Sequence, residues 1–350
     1  MNHAALLDTA FHVRDGGVDP EVRVTALPGD ASSRRYYRIA WGPGSTCIWM
    51  ALGEDPLKSD EVVDGDRPAT LPFLEVGDYL RRGGLPVPEV LHVDLDRRAI
   101  LLEDLGDVTL ERALQQGSEK AVLYDRAVDL LADLHAWAFR APDPACIAFR
   151  RRFGPGLLSW EVDHFETWLL REWAGVAPNP TEVRVLEDFR RDLVGRLVGL
   201  PQGFVHRDYQ SRNLMVTADR LRLIDFQDAL QGAWVYDLVA LLRDSYVPFT
   251  PEEAGIIRRR YLDARRDRGL PTPGEEEAEE AFHLQALQRK LKDAGRFVYI
   301  DRVRGNPRFL PNIPRSLAYV REALDHLPQY RDFRALLEDR LGPLQVFGGE

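Results

Sequence analysis

At 350 residues, 45% hydrophobic and 29% charged, the chain has the make-up of an ordinary soluble globular protein and the length of about two domains. A formal net charge of -10 argues against general nucleic-acid binding, which needs a basic face for the phosphate backbone. Only Cys47 and Cys146 are present, distant and without a CxxC partner, so neither a disulfide framework nor a cysteine zinc site is indicated, and a reducing cytoplasm fits.

The first residues, Met1 to Asp15, lack a basic start leading into a sustained apolar run. Later apolar runs are broken by charges well short of a bilayer span, so neither an export signal nor a transmembrane helix is expected. Residues 21 to 53 alternate as strands do, at Val22-Arg23-Val24, at Tyr36 to Ile39 and at Cys47 to Met50. Between the first two lies a loop, Leu27 to Arg35, with small and hydroxyl residues at its turn. Its backbone N–H groups and the Ser32 or Ser33 hydroxyls are candidates to meet phosphate oxygens. It is not G-x-G-x-x-G, and the chain has no Walker A sequence.

Residues 71 to 82 carry apolar side chains at helical spacing and end at Gly83-Gly84, which predicts the main helix of an N-terminal lobe. Val87 to Leu91 and Ala99 to Leu102 read as two further strands. The second runs into Glu103-Asp104-Leu105-Gly106, whose backbone would be free to pair with an adenine edge. From residue 107 the periodicity is helical: 119 to 139 is one amphipathic helix, with His135 packed or capping near its end. Residues 156 to 199 form two more helices, joined near Pro178-Asn179-Pro180.

The stretch from Phe204 to Asp228 carries the chemistry. His206-Arg207-Asp208 is followed five positions later by Asn213, and the apolar run Leu221 to Ile224 then delivers Asp225 and Phe226. That is H-R-D-x-x-x-x-N followed by D-F, the order of a kinase catalytic loop and metal-binding segment. Phosphoryl transfer asks the protein mainly for positioning and charge neutralisation. Asp208 is placed to orient an acceptor hydroxyl and take its proton, and Asn213 and Asp225 supply hard oxygens suited to Mg2+. Leu214-Met215-Val216 and Leu221 to Ile224 predict a hairpin that brings those two ligands together.

Gly232 to Leu242 reads as an apolar helix with a single charge, Asp237. A carboxylate among such neighbours needs hydrogen bonds, and bracing the catalytic loop supplies them. Arg258-Arg259-Arg260 and Glu275 to Glu280 read as solvated helix faces.

These pieces resemble the aminoglycoside phosphotransferase and choline kinase group. More narrowly they resemble bacterial anomeric kinases of N-acetylmuramate and N-acetylglucosamine in cell-wall recycling. The match rests on Gly29-Asp30-Ala31-Ser32-Ser33-Arg34-Arg35-Tyr36, Leu102 to Asp107, His206-Arg207-Asp208-Tyr209 with Asn213-Leu214-Met215, and Asp225 to Ala229. It continues through Tyr236-Asp237-Leu238, Leu242-Arg243-Asp244, Leu287-Gln288-Arg289, Leu291-Lys292 and Gly295.

The implied fold class is α+β, two-lobed and protein-kinase-like. The N-lobe, 1–105, would hold an antiparallel sheet and one main helix, and the C-lobe, 106–350, would be larger and mostly helical. The implied site has Asp208 and His206 as the catalytic set and Asn213 and Asp225 as metal ligands. Gly29, Ser32, Ser33, Arg34, Glu103 and Leu105 would face ATP, while Gln210, Asp228, Arg243, Arg289 and Lys292 would join Asp208 at the acceptor. The expected partner is a small sugar rather than nucleic acid or membrane, and the chain is expected to act as a monomer.

One departure concerns the strand Ile48-Trp49-Met50-Ala51, which has no lysine for the nucleotide phosphates; Lys58 or Arg34 are the candidate substitutes. The segment Gly53 to Thr70 has no assigned role, and Glu75 either pairs with a basic residue or faces solvent. Other readings are a kinase for an aminoglycoside, choline or another sugar, and an inactive nucleotide-binding scaffold, which the missing lysine favours and the intact Asp208, Asn213 and Asp225 disfavour.

Overall fold

The computed structural model describes residues 2–28, 34–53, 70–218 and 220–342. The alternating segments become β1 (Val22–Ala26), β2 (Arg35–Trp41) and β3 (Thr46–Ala51), which join β4 (Val90–Asp94) and β5 (Ala99–Glu103) in an antiparallel sheet of order β1-β2-β3-β5-β4. The fourth strand starts at Val90 rather than Val87, because Pro88 has no N–H to give to a ladder. Successive strand residues face opposite ways. On β3, therefore, Cys47 and Trp49 enter one apolar cluster while Met50 enters another.

The first cluster is closed by a helix that the sequence reading did not anticipate. This α1 (His3–Arg14) is capped by the Asn2 side chain and buries Leu6, Leu7 and Ala10 beside Trp49. Its apolar residues spread over more than one face, so no stripe stands out in the sequence. The other sheet face meets α2 (Pro72–Arg82), the helix expected from spacing, which buries Phe73, Val76 and Leu80.

The C-terminal part opens with α3 (Leu110–Gln115), α4 (Lys120–Arg140), α5 (Ile147–Arg150) and α6 (Pro155–His164). The last runs straight into a π-helical stretch, Phe165–Trp173, before α7 (Pro180–Gly199), whose N-cap Asn179 forms a capping box with Glu182. Then come β6 (Gln202–Val205), the hairpin β7 (Leu214–Val216) and β8 (Leu221–Leu223), and β9 (Leu230–Ala233). The chain ends in α8 (Tyr236–Leu242), α9 (Pro251–Asp267), α10 (Glu275–Arg304), α11 (Ile313–Asp325) and α12 (Arg331–Leu341).

The expected helix from Gly232 is corrected: residues up to Ala233 pair with β6, and helix begins only at Tyr236. A Cβ on Gly232 would lie 2.8 Å from the Phe153 ring, so this position needs glycine for close packing rather than for helix. The 30-residue α10 is buried along most of its length and packs on α6, the π-helical stretch and α11. A single apolar cluster runs from Met50 and Ile100 in the sheet through α2 to Leu337 in α12. Among the described residues no helix is long and apolar enough to cross a membrane.

Candidate active site

Between β6 and β7 the catalytic loop borrows its hydrogen bonds from α8. Asp237, fully buried, accepts from the His206 N–H at 2.7 Å through Oδ2 and from the Arg207 N–H at 2.9 Å through Oδ1. The carboxylate thus braces the loop as its burial among apolar residues foretold. His135 is packed against the same group: Nε2 lies 3.3 Å from Asp237 Oδ2, and Nδ1 lies 2.6 Å from the Tyr261 hydroxyl. Arg207 adopts φ +81°, a left-handed conformation that costs energy for a residue with a side chain. The turn is held from behind by Arg289, whose Nη1 donates to the Arg207 carbonyl oxygen at 2.8 Å and to the Tyr236 hydroxyl at 2.9 Å.

Asp208 emerges from this brace with 39% of its side-chain surface open. Its burial alone would raise the carboxyl pKa, but Arg289, 3.3 Å from Oδ1, together with Lys292 and Arg207 outweighs that and holds it below the usual value. An anion at neutral pH results. His206 is fully buried: Nε2 donates to the Ile224 carbonyl oxygen at 3.1 Å, and Nδ1 accepts from the Asp208 N–H at 3.3 Å. With both ring nitrogens engaged it is a positioning residue, tying the loop to the segment that carries Asp225.

The carboxamide of Asn213 donates through Nδ2 to the Asp208 carbonyl oxygen at 2.8 Å, which turns Oδ1 the other way. The Ile224 N–H donates to the Asn213 carbonyl oxygen at 3.1 Å and extends the β7–β8 ladder, so the hairpin delivers Asp225 beside the loop as expected. Asp225 sits at φ +64°. Phe226 then stacks on Phe73 of α2 with ring centroids 5.0 Å apart, and Gly77 makes room for it. Gln227 Nε2 donates to Asp225 Oδ1 at 2.8 Å and to Asp228 Oδ2 at 3.2 Å.

Burial, reinforced by the charges of Asp208 and Asp228, raises the pKa of Asp225. Carboxylates that crowd one another in this way, next to a carboxamide oxygen turned from its own donor bond, are a donor set that fits a hard divalent cation.

On the nucleotide side, Arg38 of β2 grips Asp104 through Nε at 2.7 Å and Nη2 at 3.0 Å and also reaches Asp107. Glu103 accepts from Arg222 of β8 at 3.0 Å and from the Glu89 N–H at 3.1 Å. The link between the lobes is thereby fixed. Leu105, half-buried, has neither its N–H nor its C=O in a hydrogen bond among the described residues. On β3 the buried Met50 lies opposite Tyr36, with no lysine on the strand. Burial raises the pKa of the Tyr36 hydroxyl, which feels both Arg34 and Asp225, so these two charges share one neighbourhood. Glu75 pairs with a basic residue of the other lobe: Arg150 Nη2 at 3.1 Å, with the Ile147 N–H at 2.5 Å.

Gly29, Ser32, Ser33 and Lys58, like most of the 53–70 segment, lie outside the described residues. Gln210 shapes the loop through its backbone, donating to the Asp208 carbonyl oxygen and accepting from the Asn213 N–H, each at 2.9 Å. Lys292 lies 3.8 Å from Glu161 Oε1 and acts on Asp208 by charge. Arg243 is joined to α11 instead: it is 2% exposed, bonds Glu322 at 2.6 Å and lies over the Phe282 and Tyr319 rings.

Two supporting residues escaped the sequence reading. Glu161 of α6, fully buried, accepts from Gln288 Nε2 at 2.6 Å and faces Arg207 at 3.3 Å; burial raises its pKa and Lys292 pulls it back. Asp244 accepts from the Ser211 N–H at 2.9 Å and hydroxyl at 2.5 Å. The signal for Asp244 was the one used for Asp237, a carboxylate beside an apolar helix.

Comparison with known proteins bears on the family and the fold. A profile described as "Phosphotransferase enzyme family" matches residues 23–271. The N-acetylmuramate/N-acetylglucosamine kinase of Pseudomonas aeruginosa is 31% identical over 335 residues, 95% of this chain and 92% of that one. The protein of the same name from Neisseria meningitidis serogroup B is 30% identical over 331 residues, 93% of each chain. In three dimensions the chain is similar to an amicoumacin kinase solved with AMP-PNP, Ca2+ and amicoumacin, at a TM-score of 0.56 and 15% identity, covering 92% of this chain and 95% of that one. That likeness speaks for the two-lobed kinase-like fold.

Proposed function

This chain belongs to the phosphotransferase enzyme family, and we propose that it is an ATP-dependent kinase acting on the anomeric hydroxyl of N-acetylmuramate or N-acetylglucosamine. The observation that carries the reading is the joining of Asp208, Asn213 and Asp225 by the Asn213–Asp208 and Asn213–Ile224 hydrogen bonds. The name shared by the Pseudomonas and Neisseria relatives supports the acceptor.

In this mechanism Asp208, anionic at neutral pH, aligns the acceptor hydroxyl and takes its proton as the oxygen attacks. Asn213 Oδ1 and the Asp225 carboxylate would hold the divalent cation, Mg2+, that accompanies ATP. Bound together, cation and nucleotide supply the phosphoryl group and neutralise charge on the phosphates. Arg34 supplies the cation that β3 lacks, and the free backbone edge at Leu105 takes the adenine. Arg289 and Arg243 are both committed within the protein, and the buried Lys292, beside Glu161, acts on the acceptor side through its charge on Asp208. An ATP-consuming reaction of this kind belongs in the cytoplasm.

The test is ADP release from purified protein with a panel of amino sugars, aminoglycosides and choline, with the phosphate position read by NMR. Turnover of N-acetylmuramate or N-acetylglucosamine at C1, lost in Asp208→Ala while nucleotide binding persists, is the expected result. Phosphorylation at another position, a preference for a cationic acceptor, or undiminished activity in Asp208→Ala would overturn it.

A further inference from the structure

Away from the cleft, α10 and α11 pack side by side, and their contact gathers Glu279, His283 and His326, whose ligand atoms all lie within 4.8 Å of one another. Glu279 and His283 are four residues apart on one helix and so project from the same face. His326 caps the end of α11, with Nδ1 at 2.9 Å from the Glu322 carbonyl oxygen. With the Nδ1 proton directed there, the lone pair is left on Nε2, the arrangement that commonly orients an imidazole toward a metal.

His283 is the feature that asks for a ligand. It is 2% exposed, and neither ring nitrogen has a hydrogen-bond partner. Buried polar groups are nearly always satisfied, so an imidazole unpartnered at both nitrogens is a costly exception. Burial, with His326, Arg243 and Arg258 nearby, lowers its pKa to about 2, which leaves a neutral ring with an available lone pair. The neighbouring cations are already matched by carboxylates. Arg258 donates to Glu279 Oε1 at 3.0 Å, leaving Oε2, and Arg243 bonds Glu322.

We propose that Glu279, His283 and His326 form a binding site for a divalent transition-metal ion. Two imidazoles and one carboxylate are a donor set that zinc accepts with a fourth position open, and one that Mg2+ and Ca2+, which prefer all-oxygen surroundings, do not favour. The two rings are stacked, with centroids 3.9 Å apart and planes 6° from parallel. Convergence of both rings on one ion at about 2.0–2.1 Å therefore requires the exposed His326 to turn while His283 stays fixed. The bound ion would clamp α11 to the helix that also carries Arg289 and Lys292.

The experiment is a calorimetric Zn2+ titration of the full-length protein, stripped with chelator and held in excess Mg2+, with a parallel Co2+ titration followed by visible absorption. The readout is binding rather than turnover, so it stands or falls independently of the sugar-kinase reading. One ion per chain, intense Co2+ bands of a low-coordinate site, and a loss of affinity of roughly tenfold or more in His326→Ala and in Glu279→Gln are expected. Unchanged thermal melts of the metal-free variants would show that both fold. No saturable uptake, or the same affinity in His326→Ala as in the parent, would overturn the site.

Discussion

Arg289 holds Asp208 and the residue before it with one guanidinium: Nη2 lies 3.3 Å from Asp208 Oδ1, and Nη1 donates to the Arg207 carbonyl oxygen at 2.8 Å. Charge state and loop shape are thereby set by the same side chain. In Arg289→Gln the largest of the charges that hold the Asp208 carboxyl low against its burial is lost, and it protonates at higher pH. The acid limb of kcat/KM should therefore move upward in pH. Arg289→Lys keeps the charge but not the two-nitrogen fork, so it should restore the position of that limb while kcat stays depressed. A pH profile of both variants checks this, and an unmoved limb in Arg289→Gln would count against it.

Asp225 has its pKa shifted the other way. Its pKa is raised by burial and by Asp208 and Asp228, so a proton competes with the metal at higher pH than at an ordinary aspartate. As pH falls through that raised value, affinity for a divalent cation in the presence of nucleotide should drop. In Asp228→Asn one of the repelling charges is gone, and the drop should begin at lower pH. Calorimetry of metal binding across a pH series reads both.

Asp237→Ala should unfold more easily, because the His206 and Arg207 N–H groups lose their acceptor in a buried place. Leaving two such donors unsatisfied costs about 2–6 kcal/mol in total. Chemical denaturation measures the loss. A change under about 0.5 kcal/mol, the scale of a neutral surface substitution, would mean that the loop is held otherwise.

Gly295→Ala tests the packing of α10. A Cβ there would sit 2.4 Å from the His164 carbonyl oxygen, where α6 passes into the π-helical stretch, and backbone cannot step aside as a flexible side chain does. Forcing the helices apart should cost about 1–3 kcal/mol. The corresponding change at Gly269, where a Cβ meets nothing within 4 Å, probes only the strain of its φ of +70° and serves as a comparison.

The site was legible where chemistry fixes spacing. The loop, the hairpin and Asp225 need particular residues at particular intervals, and the buried Asp237 announced itself by its surroundings. The fold was legible where side chains alternate or repeat with helical period, as in β2, β3, α2 and α4. What escaped depends on partners remote in sequence. Gly232 joins a strand because β6 lies beside it, and α1 is a helix that shows no single apolar stripe. Arg289 turned out to serve the loop and Arg243 to serve α11, a distinction that no local pattern carries. Met50 confirms that the phosphate lysine is absent from its strand, while the residues that would replace it include Lys58, outside the described part.

Glu75 is anchored to Arg150 and to the Ile147 amide, on the far side of the cleft from its own sheet. Kinases that switch on by swinging this helix inward must form a glutamate–lysine pair to do so. Here β3 offers no such lysine, and the glutamate is spent on a mooring. Any displacement of α2 away from α5 therefore has to break this pair first.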